Sequence, residues 1–139
     1  MNIKTSIINQ ITLETAKKMA KAAEEKAESL GIPVVVAVVD NGGNLVLLHR
    51  MEKAFFTSVE IAINKAFTSA AIRISTSDVA PLVQPGESLY GLQLSNNCKI
   101  VPFGGGIPIE VDGEIVGAIG VSGGKVEEDI AIANYAINI

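Results

Sequence analysis

Hydrophobic and polar positions alternate first with a period near 3.6. Leu13, Ala16, Met19, Ala20, Ala23, Ala27 and Leu30 recur at helical spacing, while Lys17, Lys18, Lys21, Glu24, Glu25 and Glu28 fill the other faces. Thr12 stands where an N-cap belongs, Glu14 suits the first turn, and Gly31 ends the pattern. Pro33 then opens a β-branched run from Val34 to Val39, dense enough for a buried strand. Asp40-Asn41-Gly42-Gly43-Asn44 predicts a tight turn, because Asn and Gly tolerate positive φ, and Leu45 to His49 returns as the partner strand.

Helical spacing resumes at Phe55, Val59, Ala62, Ile63, Ala66, Phe67, Ala70 and Ala71, with an apolar arc wide enough for contacts on two sides. Thr76 or Ser77 can cap a short helix through Leu82 before Pro81, Pro85 and Gly86 break the chain. Glu87 to Asn97 carries no clear period, and Lys99 to Val101 reads as a short strand. Ile107 to Val111 and Glu114 to Val121 form a second hairpin around Asp112-Gly113, and a last helix runs from Val126 to about Asn138. Two hairpins and an extra strand interleaved with helices predict an α+β domain, with an antiparallel sheet of about five strands packed by helices. The whole chain, 1–139, reads as one domain of ordinary size, without repeats or linkers.

Composition sharpens this picture. Hydrophobic residues make up 48% of the chain and charged ones 19%, and the mean hydropathy is +0.38, which leads us to expect apolar surface covered by copies of the same chain. Eleven basic against 15 acidic residues give a net charge of -4 with no Lys/Arg stripe, so no nucleic-acid partner is expected. No stretch approaches a membrane span, and Met1 to Gln10 lacks the layout of a secretory signal, so a cytoplasmic protein is expected. Cys98 is the sole cysteine and reads as a buried structural thiol.

The chemistry concentrates late in the chain. Pro102-Phe103-Gly104-Gly105-Gly106-Ile107-Pro108 precedes the second hairpin, and Gly117-Ala118-Ile119-Gly120-Val121-Ser122-Gly123-Gly124-Lys125 leaves it for a helix. Gly104 to Gly106 form either a bend where a neighbouring subunit packs or a wall of a ligand cavity. Ser122-Gly123-Gly124 either turns free amides towards a carboxylate or phosphate, or lets Ser122 cap the last helix. Ser122 and Lys125 match S-x-x-K, but its companion motifs are missing, and Val126 stands where a P-loop needs Ser or Thr. Arg50 and Lys65 are cations inside apolar patterns and call for a carboxylate partner: Glu60, Asp129 or a ligand. Phe55-Phe56 reads as core plus interface. No His or Cys accompanies the carboxylates at metal-ligand spacing, so no metal site is assigned.

Taken in order, Val38-Val39-Asp40-Asn41-Gly42-Gly43-Asn44-Leu45, Arg50-Met51-Glu52, Asn64-Lys65-Ala66, the Pro102 to Pro108 segment and Val116 to Gly124 with Glu128-Asp129 resemble the GlcG/HbpS family over nearly the whole chain. The resemblance implies a profilin-like fold, homo-oligomers, and binding of haem or a corrinoid, since a similar module forms the C-terminal part of PduO corrinoid adenosyltransferases. It also implies an axial histidine near the first helix. This chain has none between Thr12 and Leu30, and its only histidine is His49. The candidate binding residues are therefore His49, Arg50, Lys65, Phe103, Gly104, Gly105, Gly106, Ser122 and Asp129. The expected function is that of a small-molecule-binding accessory protein. An enzyme acting on a small acid through Lys65, Arg50 and Asp129, or a structural subunit of a metabolic assembly, are the alternatives.

Overall fold

The first helical pattern folds as α1 (Leu13–Leu30), capped as its sequence predicts: Thr12 accepts from the Thr15 amide, and Gly31 closes the helix with φ 70°. The computed structural model describes residues 1–139 and continues through β1 (Val35–Asp40), β2 (Leu45–Arg50), α2 (Thr57–Ile72), α3 (Thr76–Val79), β3 (Gly106–Val111), β4 (Glu114–Ser122) and α4 (Val126–Ile137). The four strands form one antiparallel sheet in the order β2-β1-β4-β3.

The alternation of β1 assigns its two faces. Val34, Val36 and Val38 join Leu47, Ile119 and Val121 under α1 and α4, while Val35, Ala37, Val39 and Ala118 meet the alanines of α2. The sheet is thus the middle of three layers, and this is why β1 reads as an unbroken apolar run rather than an alternating one. Both hairpin turns lie at one end of the sheet, since Asp40 pairs with Gly117 near the start of β4. The first turn is held by Asp40, whose Oδ1 accepts from the amides of Gly42 and Asn44 at 2.9 and 3.0 Å. In the second, Asp112 and Gly113 both take positive φ, 51° and 80°, as a tight two-residue hairpin requires.

Four expectations need correction. The sheet has four strands, and Lys99 to Val101 is tied to a helix side chain instead: the Val101 amide donates to Thr68 Oγ1 at 2.9 Å, while that hydroxyl lies 2.7 Å from the Asn64 carbonyl oxygen and 3.1 Å from that of Lys99. Ser75, one residue earlier than expected, caps α3 through the Asp78 amide, and Thr76 instead accepts from the Gly106 amide. Cys98 is exposed, carried out by consecutive left-handed residues Asn96, Asn97 and Cys98. Phe55 and Phe56 contribute nothing to the core; they are 69% and 77% exposed in the connection before α2. The stretch without a clear period holds two 3₁₀ turns, Leu92–Leu94 and Asn96–Cys98. No helix is long and apolar enough to cross a membrane.

Candidate functional site

Two places concentrate polar chemistry, and the first is buried. Lys65 projects from the middle of α2 and is 1% exposed; its Nζ donates to Asp129 Oδ2 at 3.0 Å and to the Val121 carbonyl at 2.8 Å. Asp129 lies in the first turn of α4, and its Oδ1 accepts from the Gly124 amide at 2.9 Å. The strand-to-helix turn therefore does aim its amides at an anion, and that anion is the protein's own Asp129 carboxylate. Burial pushes the Asp129 carboxyl up and the Lys65 ammonium down from their usual ranges, while their mutual attraction opposes both shifts. Glu60, the other internal candidate, is exposed.

The glycine run closes over this pair. A Cβ on Gly105 would sit 2.6 Å from Lys65 Nζ and one on Gly106 2.4 Å from the Lys65 carbonyl oxygen, whereas one on Gly104 would strike Ile130 at 2.4 Å. Phe103 caps the stack, with its ring centroid 5.2 Å from Lys65 Nζ and 42% of its surface exposed. The space freed by the missing side chains is filled by Lys65 and Ile130, which makes close packing the observed use of Gly104 to Gly106. Ser122 does not cap α4. Its Oγ donates to Ser58 Oγ at 3.1 Å, joining the end of β4 to the start of α2, and Glu128 Oε1 instead accepts from the Lys125 amide at 2.8 Å.

The second place is open. At the end of β2 away from the hairpin turns, a hollow of about 390 Å³ is lined by Glu24 and Glu28 of α1 and by Leu48, His49, Arg50, Met51 and Glu52. Glu24 and Glu28 are one helical turn apart and share a face. His49 has the same strand parity as Leu47 and so points to the α1 side, where its Nδ1 lies 2.6 Å from Glu24 Oε1. An ionised carboxylate only accepts, so Nδ1 carries a proton in this contact, and in the neutral imidazole the lone pair is then on Nε2, on a side chain that is 46% exposed. Arg50 donates from Nη2 to the Ala54 carbonyl at 3.3 Å rather than to a carboxylate, and it is exposed at the strand end, so the expected ionic partner is not required. Met51 turns inward, where its Sδ accepts from the Val34 amide at 3.5 Å.

Among the candidate residues, then, the fold gathers Lys65, Phe103, Gly104, Gly105, Gly106 and Asp129 into one packed node, and sets His49 and Arg50 apart in the open hollow. Sequence reasoning passed over Glu24. It reads as one more solvated helix residue, and only the strand register 25 positions on brings the histidine to it.

A family model described as haem degrading protein HbpS-like matches residues 11–138. An uncharacterized 15.0 kDa protein from the dhaT-dhaS intergenic region of Citrobacter freundii is 51% identical over 97% of this chain and 95% of its own length. The corrinoid adenosyltransferase PduO of Salmonella typhimurium is 42% identical over 86% of this chain, which spans 36% of that protein. Among solved structures, the Klebsiella pneumoniae protein ORFY superposes with a TM-score of 0.96 at 43% identity, covering 99% of this chain and 95% of that one. A PduOC:haem complex superposes with a TM-score of 0.90 at 40% identity, covering 93% and 94%.

Proposed function

The chain belongs to the HbpS-like haem degrading protein family, and from that premise we propose that it is a cytoplasmic, homo-oligomeric accessory protein that binds haem in the hollow between α1 and β2, with His49 as the iron ligand. The observation that carries this reading is the 2.6 Å contact between His49 Nδ1 and Glu24. A carboxylate on one imidazole nitrogen fixes the tautomer and ring orientation and raises the basicity of the other, which is the arrangement proteins use to prepare a histidine for a metal. The relative solved with haem, similar over nearly the full length, supports the choice of ligand.

The donor set fits the group. An imidazole suits haem iron, Met51 packs on the α1 side of the sheet and gives the hollow apolar surface, and the Arg50 guanidinium in the lining can meet a carboxylate. Glu24, Glu28 and Glu52 would repel haem propionates, and Arg50 is the cation of the lining that would hold one. Haem iron held by a neutral imidazole supplies coordination and redox chemistry, and this chain's part is to hold and orient the ring. The histidine implied for the first helix is thereby replaced from the other side of the same crevice, with α1 contributing Glu24 and β2 the imidazole. The packed node of Lys65 and Asp129 keeps α2, β4 and α4 in register behind this surface. The exposed rings of Phe55 and Phe56 favour cover by a second copy, the lone exposed thiol of Cys98 suits a reducing compartment, and the three layers agree with the profilin-like fold that the resemblance implies.

Titration of the purified protein with hemin is expected to give a saturable Soret shift that His49→Ala abolishes and Glu24→Gln weakens, with hydroxocobalamin as the corrinoid arm. An identical Soret response from His49→Ala would remove the proposed ligand, and a response to hydroxocobalamin alone would transfer the site to corrinoids.

A further inference from the structure

At the other end of the sheet from His49, four separate segments surround an open hollow of about 480 Å³: the extended N-terminal arm, both hairpin turns and the end of α2. Its polar lining comes from Asn9, Asn41, Arg73, Glu110 and Glu114, and Ile8 and Ile115 give it apolar surface. The arm is anchored there rather than loose. The Ile11 amide donates to the Val116 carbonyl at 2.9 Å, and Asn9 Nδ2 donates to Glu114 Oε2 at 2.9 Å.

Glu114 is therefore engaged, and two opposite charges of the lining are left without an ionic partner. Arg73 and Glu110 line the same hollow, yet neither is in an ion pair with the other or with any other residue. Both side chains are exposed, so each charge is open to a ligand that enters the hollow. Arg73 also occupies the left-handed position that closes α2, with φ 67° and its amide donating to the Ser69 carbonyl at 2.9 Å. Glycine is the residue that adopts this position without strain, so its occupation by arginine is a local cost that helix closure alone does not require.

From this convergence we propose a second ligand site, for a small zwitterion whose carboxylate is held by Arg73 with the amides of Asn9 and Asn41, and whose ammonium is held by Glu110. A guanidinium presents a planar fork of donors to a carboxylate, and the Asn side chains add donors beside it. The free carboxylate across the hollow then selects an ammonium and disfavours a second anion. Such a ligand satisfies both charges at once, and its short methylene chain lies against Ile8 and Ile115.

The test uses the full chain and three probes of graded length, β-alanine, γ-aminobutyrate and ε-aminocaproate, measured by calorimetric titration beside butyrate and butylamine, each of which lacks one charge. One zwitterion is expected to bind more tightly than either single-charge control. Arg73→Gly is expected to keep or raise Tm, because it relieves the left-handed position, and to weaken that binding about 10- to 100-fold, the loss of a charged hydrogen-bonded contact. Glu110→Gln should abolish the preference for the zwitterion over butyrate, and His49→Ala should leave it intact. No heat with any zwitterion, equal affinity for butyrate, or unchanged binding in a well-folded Arg73→Gly protein would each overturn the proposal.

Discussion

Lys65→Met is expected to destabilise the protein by about 3–5 kcal/mol at neutral pH, the usual cost of removing one partner from a buried ion pair. The Asp129 carboxylate, 3% exposed, would lose the ammonium that donates to it at 3.0 Å and would keep only backbone amides as partners. Its folded-state pKa, already raised by burial, would rise further. A group that binds its proton more tightly folded than unfolded makes stability fall as pH rises through that window, so the variant should recover part of its loss as the solution is acidified. Asp129→Ala should cost a similar amount without this recovery, because it leaves the buried Lys65 ammonium with only the Val121 carbonyl, takes the acceptor from the Gly124 amide and removes the carboxyl that titrates. Urea unfolding of both variants across acidic to neutral pH measures the difference. Equal stability of Lys65→Met and the parent at neutral pH would show that the pair does not hold α2 to α4.

Gly120→Ala is expected to be comparably damaging. A Cβ there would lie 2.0 Å from the Ala62 carbonyl oxygen and 2.7 Å from the Ala66 amide nitrogen, both backbone atoms of α2. No side chain can swing aside, so the helix itself must lift from β4. Overpacking a core commonly costs about 1–3 kcal/mol, and contact with helix backbone, which cannot rotate away, places this change at or beyond the top of that range. Gly31→Ala serves as the contrast. Its Cβ would meet nothing within 4 Å, so only the left-handed φ of 70° is penalised, by about 1 kcal/mol. Comparable urea midpoints for the two variants would contradict this account of how α2 seats on the sheet.

Features set by neighbouring residues were readable from the chain alone. Thr12 and Gly31 delimit α1 through contacts within one turn, and Asp112-Gly113 needs only its own backbone angles to make a hairpin. The Lys65–Asp129 pair was half visible, because a lysine in an apolar arc demands a partner, although the chain does not say which. What escaped was set at long range. Lys99 to Val101 stays out of the sheet, and its Val101 amide goes instead to the hydroxyl of Thr68, 33 positions away. The glycines at 104–106 announce that something comes close, and the identity of those neighbours, Ile130 on α4 for Gly104 and Lys65 on α2 for Gly105 and Gly106, is a matter of packing between layers. His49 looked isolated because its partner Glu24 belongs to another element and becomes adjacent only through the β1–β2 register.

That histidine is also what makes the functional account directly measurable. The chain contains a single histidine, so protein grown with ¹⁵N-histidine carries its label at one imidazole. Electron-nuclear double resonance on the ferric haem complex is predicted to show a strongly coupled ¹⁵N in place of ¹⁴N at the axial position when the label is present. An axial signal indifferent to the label would mean that iron is held by another residue, and the α1/β2 hollow would not be the haem site.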